Sequence, residues 1–209
     1  MCPAHSTREV VDTIVALGLV DPATPAAVLR LGELEEPLSY YGHTDRSAVR
    51  NLLSDLGIRY TFDYKTFRGI RDADDEERLD WYRGELESVA ACTRGAATIG
   101  DVRLVENDDT WELRFEWNGE VESWLVYPGD EDEDLEAALT FATYVPGLSA
   151  PPSGVFCLVN PPDLDYSGEA VFGVPEALNT LGRPFGLTFE GPWQQRPDDT
   201  GAPKAPPAG

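Results

Sequence analysis

The sequence predicts an α+β fold, in which an antiparallel β-meander sheet packs against helices and follows an N-terminal helical subdomain. Apolar residues recur at helical spacing through much of residues 7–56. Apolar and polar residues then alternate with a period of two within residues 98–127, and an Asn118-Gly119 pair separates two of the alternating segments. Separate blocks of helices and antiparallel strands are typical of the α+β class.

Three short helices are predicted before residue 57. Apolar side chains of residues 7–18 fall on one face, and Ser6 or Thr7 can cap this first helix. Pro25 suits the first turn of a second helix, and Gly57 ends a third that begins near Thr44. We expect residues 1–57 to form the N-terminal helical subdomain.

A half-buried strand and the longest helix are predicted next. Ile58, Tyr60 and Phe62 alternate with polar residues and should share a buried face. Residues 73–94 predict a long helix. Its first turn is rich in acids between residues 72 and 77, where the helix macrodipole favours negative charge.

The Asn118-Gly119 turn fixes the register of the predicted hairpin, because both residues tolerate the positive φ that a two-residue turn requires. This register places Trp111 opposite Val126 and Leu113 opposite Trp124, all on the core face. The opposite face carries Glu112, Arg114, Glu116, Val121, Leu125 and Tyr127.

Beyond the hairpin, residues 131–144 predict a helix for which Asp130 or Asp132 serves as N-cap. Further strands, expected to extend the meander into one sheet, are predicted at 154–160, 170–173 and 184–190. Residues 58–190 would then form the α+β domain with its Trp-rich hairpin. Residues 191–209, which are rich in Pro, Ala and Gly, predict a disordered tail.

The charge of the chain limits its partners. The formal net charge is −22, and residues 101–136 alone hold 14 acids and two arginines. Such a chain is poorly suited to nucleic-acid phosphates or an anionic membrane surface, whereas a basic protein would be attracted to it. Solubility in an acidic proteome is the alternative explanation of this charge.

The cysteines and the N-terminus indicate a cytoplasmic location. The three cysteines are an odd number without a CxxC motif, which favours reduced thiols. Charged residues at Arg8, Glu9 and Asp12 interrupt the segment where a secretion signal would be apolar.

Residues that carry chemistry are few, so we expect no catalytic site, metal or cofactor. There are two histidines, and the glycine patterns of phosphate-binding loops and the GxSxG motif are missing. The spacing of Asp163 and Asp165 resembles the start of a calcium loop, but Val174 stands where the loop needs a bidentate glutamate. Whether these aspartates bind calcium stays open, as does a hydrolase built on two carboxylates.

A surface that combines acids and aromatic residues is the strongest candidate for partner binding. Aromatic side chains are enriched among interface hot spots, and acids accelerate association with a basic partner. The alternative is that the tryptophans belong to the core and the acids to the solvated face of a sheet. The predicted partner-binding residues are Glu112, Glu116, Trp117, Glu120, Glu122, Tyr127, Asp130, Glu131, Asp132, Glu133 and Asp134.

The segment "VENDDTWELRFEWNGEVESWLVYPGDEDEDLEAAL", residues 105–139, together with the later "VPEAL", resembles bacterial immunity proteins of polymorphic toxin systems. The resemblance is one of general style over residues 98–190, and the Pro, Ala and Arg usage looks actinobacterial. It implies an inhibitor that binds a basic toxin domain stoichiometrically, with no catalysis and no cofactor.

Two other kinds of binding module are kept as alternatives. The near-neutral helices with Arg46, Arg50 and Arg59 could form a regulatory helix-turn-helix, although Asp45 and Asp55 lie in the same segment. A DNA mimic, in contrast, would compete with DNA for a basic protein.

Overall fold

The computed structural model describes residues 5–30, 32–63, 65–107, 110–160 and 167–191. The helices in these ranges are α1 (Thr7–Ala16), α2 (Thr24–Val28), α3 (Asp45–Asp55), α4 (Asp75–Cys92), α5 (Glu133–Tyr144) and α6 (Pro175–Gly182). The strands are β1 (Arg59–Asp63), β2 (Ile99–Asn107), β3 (Thr110–Trp117), β4 (Glu120–Val126), β5 (Ser149–Ala150), β6 (Gly154–Asn160), β7 (Ser167–Gly173) and β8 (Thr188–Glu190). The predicted α+β class is confirmed. Of the helices described, none has both the length and the apolar character needed to cross a membrane.

The strands form two antiparallel sheets, which corrects the prediction of one extended sheet. β2, β3 and β4 make a three-stranded meander. The other sheet has the order β1-β7-β6-β5, and β8 also pairs with β6. β1 is bound to β7 along its whole length, although more than 100 residues separate Arg59 from its partner Val171. Periodicity identifies strands but carries no information about such distant pairing.

The five-stranded sheet is covered on both faces. Along β6, Phe156 belongs to one hydrophobic core, and Cys157 and Val159 belong to the other. This arrangement explains why the segment "GVFCLVN" is apolar without alternation, since a strand buried on both faces needs apolar residues at every position. The two cores therefore lie on opposite sides of one sheet.

The first core lies between this sheet, the meander and two helices. Tyr82 and Leu86 of α4 and Phe141 of α5 are fully buried, as are Leu113 of β3 and Phe156 of β6. Trp124 of β4 contacts Phe141 edge to face, with ring centroids 5.3 Å apart. The aromatic alternation of the hairpin is thus explained by burial against α5.

The second core lies between the opposite face of the sheet and helices α1, α3 and α6. Ile14 of α1, Leu52 of α3 and Leu178 of α6 are buried in it. The predicted boundary at residue 57 falls between α3 and β1, and residues on both sides of it contribute to this core. Ile58 precedes β1 and packs here, which corrects the prediction that it shares a face with Tyr60.

A buried carboxylate group lies in the second core. Glu169 of β7 is contacted through its two carboxylate oxygens by the guanidinium groups of Arg50 and Arg59. The Arg50 and Glu169 side chains are each 3% exposed, and Arg59 also donates to the Arg50 carbonyl oxygen at 3.0 Å. A buried charge requires such partners. Two of the three arginines that a helix-turn-helix would need for DNA are therefore directed inward.

Three helices, α1, α3 and α4, begin with ordinary capping chemistry. Ser6 caps α1, Thr44 caps α3 and Asp74 caps α4, and each takes part in a capping box. The candidates named from the sequence for α1 and α3 thus include the observed caps.

The hairpin has the predicted register. Trp111 lies opposite Val126 and Leu113 opposite Trp124. The turn residues Asn118 and Gly119 have φ values of 55° and 82°. In β2, the register shifts between Gly100 and Arg103, and Asp101 adopts a φ of 47°, as in a β-bulge.

Replacing Gly119 with alanine should lower the free energy of unfolding by about 1 kcal/mol. A Cβ there would meet no atom within 4 Å, so the whole effect comes from the positive φ. Urea unfolding followed by circular dichroism measures it.

Gly84→Ala in the middle of α4 is the matched control, because its Cβ is equally unhindered and its backbone is helical. It should raise stability by about 0.5–1 kcal/mol. Equal effects of the two substitutions would contradict the assigned turn.

Candidate functional site

The four glutamates predicted on one acidic side of the hairpin are divided between its two faces. Glu116 lies opposite Val121, on the face away from the core. Glu122 lies opposite the buried Phe115, two residues before the buried Trp124, and so points to the core side. Burial raises the pKa of the Glu122 carboxyl. Glu112 lies on the same face as Glu116, and Glu120 lies on the same face as Glu122. The four glutamates therefore do not form one group, which corrects the prediction.

Glu112 is held by its neighbours on the outer face. Its Oε2 atom accepts hydrogen bonds from the Ser123 hydroxyl at 2.6 Å and from Arg114 Nε at 2.8 Å. The bond from Ser123, followed by that from Arg114, lowers the pKa of this carboxyl. The charge of Glu112 is therefore balanced locally by Arg114, which makes it a weaker contact for a partner than predicted.

Trp117 belongs to the core, which corrects its assignment to the partner surface. It is 4% exposed, and its indole N–H donates to the Ser149 carbonyl oxygen at 2.8 Å. The buried tryptophan thereby joins the end of β3 to β5, and a partner cannot reach it.

Two acids of the 130–134 run have structural roles. Glu133 is fully buried, and its carboxylate accepts from Arg78 Nε at 2.6 Å and from Arg78 NH2 at 3.3 Å. It also accepts the Gly129 backbone N–H at 2.7 Å. Asp134 accepts the backbone N–H groups of Gly69 at 3.0 Å and Arg71 at 3.4 Å. Glu133 thus joins the start of α5 to α4, and Asp134 joins it to the segment before α4.

The start of α5 also differs from the prediction. Asp132 occupies the N-cap position, but its side chain makes no capping hydrogen bond. Asp130 accepts the Asp132 backbone N–H at 3.0 Å instead. Neither aspartate thus caps the helix in the predicted way, and both are exposed with Glu131.

The contacts of Glu133 bring two acidic segments onto one surface. Arg78, which binds Glu133, also binds Asp75 at 2.8 Å, and Arg71 donates to the Glu131 carbonyl oxygen at 3.3 Å. We call the exposed acids of these segments the acidic surface. They are Asp72, Asp74, Asp75, Glu76, Glu77, Asp130, Glu131 and Asp132.

Sequence reasoning explained the acids at the start of α4 by the helix macrodipole alone and so missed their place in this surface. Arg78 was the available signal. It is a basic residue at the end of an acidic first turn. In the structure Arg78 is 5% exposed and binds Glu133, which lies 55 residues later in the chain.

A cleft of about 360 Å³ adjoins the acidic surface. Trp111 and Tyr127 line it together with the chain from Pro128 to Asp130. Tyr127 is 44% exposed, and Trp111 is half-buried at the beginning of β3. Aromatic rings next to a carboxylate can hold a lysine ammonium or an arginine guanidinium through cation–π contact and charge. We refer to this feature as the Trp111 cleft.

The other groups considered as candidate sites, a metal cluster and the cysteines, give less support for a function. The described residues contain no group of three or more His, Cys, Asp or Glu side chains that could hold a metal ion. Burial raises the pKa of the Cys92 thiol to about 11 and that of Cys157 to about 12, so both stay protonated at neutral pH. Asp163, Asp165 and the predicted tail from residue 192 lie outside the described residues.

Replacing Glu133 with glutamine should lower the free energy of unfolding by about 3 kcal/mol, because the buried Arg78 charge loses its partner. Urea unfolding measures this loss. Asp132→Asn, one residue away and exposed, is the control and should change stability by less than about 0.5 kcal/mol. A Glu133→Gln variant as stable as the Asp132→Asn variant would disprove the structural role of the ion pair.

Comparison with known proteins places the chain in no family. No protein-family model matches it, and neither a curated protein nor a solved structure is significantly similar. The resemblance to immunity proteins stays a prediction.

Proposed function

We propose that this protein binds a basic protein partner through the acidic surface and the Trp111 cleft, and that it inhibits that partner by occupying its basic site. A toxin domain is the partner that the resemblance to immunity proteins implies. The observation that carries the proposal is the joining of two acidic segments, 72–77 and 130–132, beside a cleft with exposed aromatic area.

The charge of the surface supports fast association with a basic partner. Eight exposed carboxylates are accompanied there by Arg71, which is bound to Asp72 at 3.5 Å. A concentrated negative potential steers a positive partner and raises its association rate by about 10- to 1,000-fold at low salt. Asp74 and Glu77 form the capping box of α4, Asp75 binds Arg78, and Asp130 accepts the Asp132 backbone N–H. Glu76, Glu131 and Asp132 make no side-chain hydrogen bond or ion pair with the described residues, so their charge is available to a partner.

The Trp111 cleft supports tight contact after the encounter. Exposed acids contribute mainly to the association rate, whereas anchoring residues in partly closed pockets slow dissociation. A lysine or arginine of the partner placed between Trp111 and Tyr127 would lie close to Asp130, which lines the same cleft. The acidic surface thus supplies most of the steering charge and the Trp111 cleft the anchor, and Asp130 belongs to both.

Neutralising Asp130, Glu131 and Asp132 together (Asp→Asn, Glu→Gln) should slow association by about tenfold at low salt and weaken its salt dependence. The binding partner for this measurement is the basic toxin domain that the resemblance to immunity proteins implies, sought in the genes that flank the one for this chain. Surface plasmon resonance gives the association and dissociation rates.

The matched control neutralises Asp12, Glu36 and Glu176, which are exposed acids outside the acidic surface. It changes the net charge equally and should bind like the parent chain. Equal binding by both triple variants at low and high salt would place the interface elsewhere. Competition with duplex DNA for the partner would instead identify a DNA mimic.

Tyr127→Ala should weaken the same complex by about 1–2 kcal/mol through faster dissociation, because one wall of the cleft is lost. Tyr127→Phe keeps the ring and should bind like the parent, and Val121→Ala, an exposed position on the hairpin, should also have little effect. Equal loss in the alanine and phenylalanine variants would assign the effect to the hydroxyl group and contradict a cation–π contact.

A further inference from the structure

A small apolar groove lies where the end of α5 meets β6. It has a volume of about 270 Å³ and is lined by Ala142, Thr143, Pro146 and Leu158. Ala142 and Leu158 are half-buried and pack against the outside of the first core. We call this feature the Leu158 groove. Because none of its lining residues is charged, its occupant differs in chemistry from the basic partner of the acidic surface.

We propose that the Leu158 groove holds the side chain of Trp193, the second residue after the last described one, Gly191. The groove is then a docking site for a segment of this same chain. The proposal does not depend on the proposed function, because neither the acidic surface nor the Trp111 cleft shares a residue with the groove.

β8 brings the chain to the wall of the groove. Glu190, the last residue of β8, lies directly opposite Leu158 of β6. Three extended residues span at most about 10 Å. The indole of Trp193, three residues after Glu190, is therefore within reach of the groove.

The chain cannot follow the edge of β6 beyond Gly191. The Phe156 backbone N–H donates to the Leu148 carbonyl oxygen at 3.2 Å, and Val155 pairs with Ser149 of β5, so this part of the edge is already occupied. Pro192 also lacks the N–H group that a strand ladder needs. The chain after Gly191 therefore has to leave the sheet beside Leu158.

The lining of the groove suits an indole ring. A tryptophan side chain buries roughly 150–250 Å² and usually finds an acceptor for its N–H group. Three lining residues offer apolar contact, and the exposed Thr143 offers a hydroxyl oxygen that can accept the indole N–H. The tryptophans among the described residues are all buried or half-buried, so Trp193 left in water would be an exception.

Charge favours a segment of the same chain over a second copy. Two copies that each carry a net charge of −22 repel one another. Residues 192–209, in contrast, hold two bases, Arg196 and Lys204, and two acids, Asp198 and Asp199, so their formal charges cancel. The short connection to β8 also gives Trp193 an effective concentration of about millimolar at the groove.

Limited proteolysis of the full chain with chymotrypsin, read by mass spectrometry, measures cleavage after Trp193. A docked side chain is cleaved only during the fraction of time in which it is released. We expect cleavage about tenfold slower than in a free peptide of residues 190–197, a ratio that corresponds to about 1.4 kcal/mol. Cleavage of the chain as fast as that of the peptide would overturn the proposal.

Variants of α5 locate the docking site. Ala142→Gln places a longer side chain in the groove, and Thr143→Phe offers the groove a competing ring, so both should accelerate cleavage after Trp193. Leu139→Gln is the matched control, because Leu139 is an exposed residue of the same helix that does not line the groove. It should be cleaved as slowly as the parent chain. Slow cleavage in both groove variants would overturn the assignment.

Fluorine NMR of the chain labelled with 5-fluorotryptophan gives one signal for each of the five tryptophans. The Trp193 signal is identified by its loss in Trp193→Phe. In the parent it should differ from its position in urea, and in Thr143→Phe it should move towards that position while the other four signals stay. A Trp193 signal that is the same in the parent chain and in urea would overturn the proposal.

Protein concentration distinguishes docking within one chain from docking between copies. The cleavage rate after Trp193 should not depend on the concentration of the parent chain. Protection that grows with concentration would assign the groove to a second copy and overturn the proposal.

Discussion

The burial of Glu133 is the constraint on which the candidate site depends. A carboxylate beneath the surface is tolerated when a cation and backbone donors satisfy its oxygens, and here Arg78 and the Gly129 N–H do so. Because Arg78 belongs to α4 and Glu133 to α5, this one pair sets the position of two helix starts relative to each other. Asp134 reinforces it through the backbone N–H groups of Gly69 and Arg71. The exposed acids at and before the starts of the two helices are consequently neighbours in space.

Local features of the fold were predictable because their causes are local. The register of the hairpin follows from the turn at Asn118-Gly119, and the structure confirms it residue by residue. The caps at Ser6 and Thr44 follow from side-chain chemistry within three residues. The pairing of β1 with β7 was not predictable in this way, since alternation in one strand carries no information about its distant partner. A single sheet was therefore expected where the described strands form two.

The candidate site was predictable in composition and not in arrangement. The sequence shows a run of acids from Asp130 to Asp134, but nothing in the run distinguishes the buried Glu133 from the exposed Glu131. That distinction depends on Arg78, which reaches Glu133 only in the folded chain. The error over Glu122 was of another kind, because its spacing of two from Trp124 already indicated the core side.

The meander also shows how a small sheet avoids pairing with another copy of itself. β2 and β4 are the outer strands of the three-stranded sheet, so each presents backbone groups without a neighbouring strand. The bulge at Asp101 disrupts the regular repeat of β2, and Glu120 and Glu122 place negative charge along β4. A β2 edge would meet a second copy with mismatched spacing of its backbone hydrogen-bonding groups, and two β4 edges would meet with like charges opposite each other. The acids of β4 thereby contribute to colloidal stability whether or not a partner contacts them.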